Sequence, residues 1–207
     1  MIKNYLILFL LITSVKLFSQ EVYLLVGSNT TKYSFKSSQG EMTTSLQSSK
    51  GLSFETGYAI PINAKNIFYD VGVTLNDYNA IASSFANNYK WETKYIGVQN
   101  ALRFNFPISY NLQVGLNGGL NISKIIYGKQ TTNGVVNDLK NQDEFSGVFF
   151  SSFVGAYTKY SVNDFGYISL GYIFSKSLNP FNVSPDKLSF NTNQIMFGIH
   201  FINKNKK

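Results

Sequence analysis

Three very short turns alternate strictly with four long polar stretches along this chain. The short turns span residues 61–65, 107–111 and 161–164, and the long stretches span 36–50, 79–90, 128–144 and 177–189. Eight segments of alternating apolar and polar residues lie between them. If these run up and down, every long connection falls at one end of the fold and every short turn at the other. A soluble sandwich has no reason to sort its loops this way. A transmembrane β-barrel does: it has short turns on one side, longer loops on the other, an even strand count and strands of about ten residues. The expectation is an all-β fold, an eight-stranded antiparallel up-and-down transmembrane β-barrel.

The strands carry the alternation that such a wall needs. In the third predicted strand Ile67, Tyr69, Val71, Val73 and Leu75 share one face, against Asp70, Gly72, Thr74 and Asn76 on the other. The fifth sets Leu112, Val114, Leu116, Leu120 and Ile122 against Gln113, Gly115, Asn117, Gly119 and Asn121. The eighth sets Ile195, Phe197, Ile199 and Phe201 against Gln194, Met196, Gly198 and His200. Period two places these sets on opposite faces. In a small barrel the apolar face meets lipid, and the polar face with its glycines fills a lumen barely wide enough for side chains. Three strands are less regular. The first is apolar on both faces as far as Val26, the fourth places Asn100 among its outward residues, and the sixth carries Phe149, Phe150, Phe153 and Val154 on both faces. A two-sided apolar strand also suits a sandwich core. Aromatic residues gather near both strand ends, at Tyr58, Tyr69, Phe68, Tyr160, Phe165 and Phe201 on one side and Tyr78, Tyr89, Trp91, Tyr127, Phe174 and Phe190 on the other. They predict two interfacial girdles.

Lys3, the short apolar run 5–12 and Ser19 have the form of a secretory signal peptide over residues 1–20, cut near 19/20, ahead of a barrel domain over 21–207. Beyond it no apolar run approaches the ~18 residues of a transmembrane helix, so a membrane span must be made by strands. Charged residues are only 14% of the chain, well below the ~25% usual in soluble domains. The formal charge is +7; losing Lys3 and Lys16 takes 18 basic residues down by two against 11 acidic ones, leaving about +5. With a single arginine and scattered lysines, nothing in this balance points to nucleic acid. Cysteine is absent, which excludes anchoring as a lipoprotein, disulfides and thiolate metal sites.

The last strand, Gln194-Ile195-Met196-Phe197-Gly198-Ile199-His200-Phe201, resembles the outer-membrane β-barrel family typified by PorT, abundant in Bacteroidetes. Leu116-Asn117-Gly118-Gly119-Leu120-Asn121 and Tyr167-Ile168-Ser169-Leu170-Gly171-Tyr172 are similar as well. The resemblance covers the whole chain after the leader and rests on glycine and aromatic alternation. It implies outer-membrane lipid as surroundings, both termini in the periplasm, and insertion by the barrel-assembly machinery. That machinery reads an aromatic near the end of the last strand, here Phe201. The chain departs from this pattern by continuing to Lys204, Lys206 and Lys207.

The residues with chemistry are few. Glu55, Asp70, Arg103 and Lys159 all fall on the lumen face. Two carboxylates in a narrow lumen repel each other and need a cation. Arg103 is expected to bridge Glu55 and Asp70, with a charged pore as the functional alternative. The single histidine, His200, is placed at the short-turn end, where a hydrogen-bonded structural role is expected rather than that of a general base. Asp138, Asp143 and Glu144 lack the dense oxygen spacing of a calcium loop. No catalytic residue, cofactor or metal is expected. The functional expectation is a non-enzymatic outer-membrane barrel with a structural or interaction role, meeting an unknown protein partner through four extracellular loops. The alternatives are an accessory component of type IX protein secretion and a narrow small-solute channel.

Overall fold

Period-two patterning yields strands of 13 to 21 residues that curl into one closed wall. The computed structural model describes residues 21–37, 40–41, 46–62, 66–83, 87–162, 166–178 and 187–202. The leader, Phe165 and the terminal lysines lie outside the described residues. The wall strands are β1 (Glu21–Ser37), β3 (Gln47–Pro61), β4 (Ile67–Ser83), β5 (Asn88–Pro107), β6 (Leu112–Thr132), β8 (Val148–Val162), β9 (Gly166–Leu178) and β10 (Lys187–Ile202). Two short ribbons, β2 (Gly40–Glu41) and β7 (Val135–Asp138), pair with β1 and β6, and one helical turn, α1 (Asp143–Ser146), precedes β8. Each wall strand pairs antiparallel with its chain neighbour. β10 then returns to β1, from Glu21↔Ile202 to Lys36↔Lys187. Eight strands with no free edge form the expected antiparallel barrel.

Several strands run beyond ten residues because they project past the apolar band. The stretch 79–90, expected as a loop, is mostly strand: β4 continues to Ser83 and β5 begins at Asn88. The stretch 128–144 is largely a hairpin of β6 and β7. Asn133 and Gly134 turn it with φ of 50° and 87°, the positive values that a tight two-residue hairpin turn requires.

The molecule is inverted relative to a soluble protein. Ser53, Asn76, Gln99 and Gln194 are buried in the lumen, while Leu52, Val98, Leu120 and Ile195 stand exposed on the outside. On β6 the outward row from Leu112 to Ile122 covers ten residue steps, about 33 Å along the strand. At the ~40° tilt of such barrels this is about 25 Å of height, the thickness of the apolar band. Asn100 sits on this face as expected and is satisfied there: the Tyr69 hydroxyl donates to its Oδ1 at 2.6 Å. Tyr172 serves Asn193 in the same way.

The two-sided strands are explained by what fills the barrel. Tyr33, Tyr78, Tyr95, Phe149 and Phe190 pack inside its long-loop half, joined by Leu139 from the β7–α1 connection and Phe145 from α1. Ring centroids lie 4.8 Å apart for Tyr33 and Phe190 and 5.0 Å for Phe149 and Phe190, within the range of favourable aromatic pairs. This plug corrects the girdle expectation at the long-loop end. Tyr78 and Phe190 are plug residues, Tyr89 and Trp91 stack on each other on the same inward-facing side of β5, and of that set only Tyr127 and Phe174 are exposed outward. The short-turn girdle is present in Tyr58, Tyr69, Phe104, Phe106, Tyr160 and Phe201. Phe68 instead turns inward beneath Arg103.

Candidate functional site

Ion pairs and hydrogen bonds knot the lumen at its short-turn end, and their hub is Glu21, the first residue of β1. Its Oε1 lies 2.7 Å from Arg103 Nη1 on β5, 2.6 Å from Lys159 Nζ on β8 and 2.7 Å from His200 Nδ1 on β10. Arg103 Nε reaches Asp70 Oδ2 on β4 at 3.1 Å, as an ion pair without good hydrogen-bond alignment. The guanidinium carbon sits 4.9 Å from the Phe68 ring centroid, and Lys159 Nζ is 5.4 Å from that of Tyr167. Five strands are thereby clasped across the barrel. All five charged or titratable side chains are buried, so each depends on its partners rather than on water.

Arg103, Asp70 and Lys159 meet as the alternation predicted, but Glu55 does not join them. It accepts from the Tyr23 hydroxyl and from Gln99 Nε2, both at 2.8 Å. Two neutral donors therefore serve it, and the carboxylate that Arg103 bridges to Asp70 is Glu21. Register explains the difference: Asp70 pairs with Ala59 and Glu55 with Thr74, so the two are offset by four rungs. Glu21 adjoins the expected cleavage point, where the alternation of the first strand has only begun. The signal available for it was parity, since Glu21 and Tyr23 share a face.

His200 is buried in the lumen and hydrogen-bonded, as the alternation predicts. Its Nε2 lies 2.7 Å from Ser169 Oγ while Nδ1 faces Glu21. Ser169, His200 and Glu21 thus stand in the order of a hydrolase triad. Two features of the site oppose that use. The same carboxylate oxygen also holds Arg103 and Lys159. The adjoining cavity, lined in part by Arg103, Asn117, Ser169 and His200, measures ≈ 40 Å³, room for about three water molecules and not for an acyl or peptide group. Arg103 Nη2, Asp70 Oδ1 and Asn117 Oδ1 have no hydrogen-bond partner among the described residues.

At the opposite end Glu92 is held between Lys90 and Lys129 at 2.9 Å each. Hydrogen bonds from Lys90 and then Lys129 keep its carboxyl below the ordinary range. Asp138 accepts from the Lys140 backbone N–H at 2.8 Å, a turn cap. The side chains of Asp143 and Glu144 lie outside the described residues, and no metal-holding group occurs among the described residues.

No protein-family model matches the chain, and no curated protein sequence does either. The fold is nonetheless that of outer-membrane β-barrels. Neisserial surface protein A is similar with a TM-score of 0.51 and 16% identity, covering 87% of this chain and 96% of its own. The outer-membrane protein OprG from Pseudomonas aeruginosa is similar at 0.53 and 11%, covering 88% and 96%. The outer-membrane protease OmpT from Escherichia coli is similar at 0.54 and 8%, covering 91% and 98%. At these identities the likeness is one of fold, shared by a protease and by proteins whose names state no enzymatic activity.

Proposed function

We propose that this chain is an integral outer-membrane barrel without catalytic activity, acting as a structural or interaction protein through its long-loop end. The observation that carries this reading is the filled lumen, with the Glu21 clasp at one end and the aromatic plug at the other. A lumen occupied in this way offers no bore for a solute and no chamber for a substrate, which leaves the outer surfaces to do the work. Both termini lie on the periplasmic side in this reading, and the long loops face outward. The similarity of the last strand to the PorT-type family supports the same placement, with Phe201 as the residue read by the barrel-assembly machinery.

Reconstituted in planar bilayers, the wild-type protein should show no discrete conductance; regular single-channel steps would replace this reading with a small-solute channel. Cysteine at Asn137, an exposed residue of β7, should react with an impermeant maleimide on intact cells. Cysteine at Asn111, in the turn before β6, should react only once the outer membrane is opened. With no native cysteine, labelling at Asn111 from outside would reverse the orientation. The role itself is tested by capturing the tagged protein from detergent-solubilised outer membranes while following export in a deletion strain. Co-purifying secretion subunits and arrested cargo would make it an accessory of type IX secretion instead.

A further inference from the structure

We propose that the β1–β10 seam, at the long-loop edge of the apolar band, is a seat for the phosphate-bearing headgroup of an outer-leaflet glycolipid. The lipid-facing surface turns polar earlier here than on either side. Ser28 and Thr30 on β1 pair with Ile195 and Asn193 on β10, and above them Asn191 also points outward. The flanking strands remain apolar at Leu52 and Phe174, both exposed. This leaves a polar notch cut into a hydrocarbon-facing wall, in which Asn193 is served by the Tyr172 hydroxyl while polar groups without partners are costly.

Lysines rim the notch. Asn191 pairs with Lys32 on one side and Lys176 on the other, which puts the two lysine backbones about 10 Å apart at one level. Lys50 pairs with Thr30, so it stands diagonally beside Lys32. All three lysines are exposed, and none meets a carboxylate among the described residues. Elsewhere on the same rim Lys90, Lys94 and Lys129 are paired with Glu92 or Asp77 at 2.9–3.0 Å, and Lys124 on β6 stands exposed with no carboxylate partner among the described residues. At the short-turn end the described cations, Arg103 and Lys159, point into the lumen. Among the described residues outward positive charge thus gathers at the long-loop boundary of the band, and around the notch three unpaired lysines stand together. Lysine is a compact cation on a flexible stem, suited to phosphate as a point charge. Acyl chains would descend along Leu52 and Phe174 while the notch takes the polar headgroup.

The glycolipid assignment rests on the orientation proposed above, but the test does not. The folded protein in non-ionic detergent is mixed with diphosphoryl lipid A, and retained lipid is counted by native mass spectrometry. Wild type should retain it at least tenfold better than the Lys32→Gln/Lys50→Gln/Lys176→Gln variant, and better than it retains the same lipid stripped of phosphate. A variant of equal charge change, Lys90→Gln/Lys129→Gln/Lys140→Gln, should bind like wild type. Heat-modifiable migration confirms that both variants are folded. Equal losses in the two variants would reduce the effect to net charge and overturn the seat. Displacement by millimolar inorganic phosphate would make it a free-anion site, and preference for phosphatidylglycerol would overturn the glycolipid. Cysteine labelling judges the orientation independently of all these outcomes.

Discussion

Replacing Arg103 with methionine should destabilise the folded barrel by about 3–5 kcal/mol, the cost of leaving buried charges without their partner. Glu21 would lose its 2.7 Å contact and Asp70 its only ion-pair partner among the described residues. Urea unfolding in lipid vesicles measures the loss. Neutralising the whole clasp (Glu21→Gln, Asp70→Asn, Arg103→Met, Lys159→Met) should recover most of it, because no unpaired charge would then remain in the lumen. The non-additivity should be local. Arg103→Met and Glu21→Gln should couple by roughly 0.5–3 kcal/mol, whereas Arg103→Met and Glu92→Gln, at opposite ends of the barrel with separate partners, should be additive within about 0.5 kcal/mol. A fourfold variant as unstable as the sum of its single changes would rule the clasp out. If Arg103→Met spared stability and raised ion conductance, the arginine would be guarding a pore.

Arginine placed on the lipid face should be penalised by depth. Val73→Arg and Leu116→Arg, near mid-band on β4 and β6, should each cost roughly 2–4 kcal/mol, while Ile81→Arg, beyond the band on β4, should cost about 0–1 kcal/mol. All three residues are exposed, so in a soluble protein the three changes would be equally tolerated. Heat-modifiable migration on unboiled gels reports the folded fraction. Equal effects at Ile81 and Leu116, or protein that stays folded without detergent or lipid, would contradict a transmembrane wall.

Alternation along each strand was enough to read which way nearly every wall residue points, because parity is a local property. Depth was readable only between strands joined by a turn, and even there imperfectly. The first turn extends through Ile62 and Ile67, joined by a 2.9 Å backbone hydrogen bond, and this shifts the register that residues 61–65 alone imply. Asp70 therefore stands four rungs from Glu55. The stagger at which a sheet closes on itself is written in no local pattern. Hence the meeting of Glu21 with Lys159 and His200, from strands far apart in the chain, could not be derived. Aromatic residues at the long-loop end were misplaced for a related reason. Phe190 and Tyr78 have the composition of a girdle, and only the inward parity of their strands marks them as filling.

The Glu21 clasp also has a consequence for how the chain reaches its native state. Its contacts to Lys159 and His200 span 138 and 179 residues, against 12 for Thr158 with Leu170 and 33 for Thr56 with Tyr23, bonds between consecutive wall strands. Neighbouring strands can zip locally as the polypeptide enters the bilayer, but loop-closure entropy delays pairings between distant segments. Glu21 can find its full set of partners only when β10 has arrived beside β1. Until then the carboxylate, the lysine and the imidazole would face the lumen of an open sheet without one another. The clasp is thus a completion step: a chain halted short of its last strand would keep an unsatisfied charge at the start of its first strand, and would be the form most exposed to proteolysis.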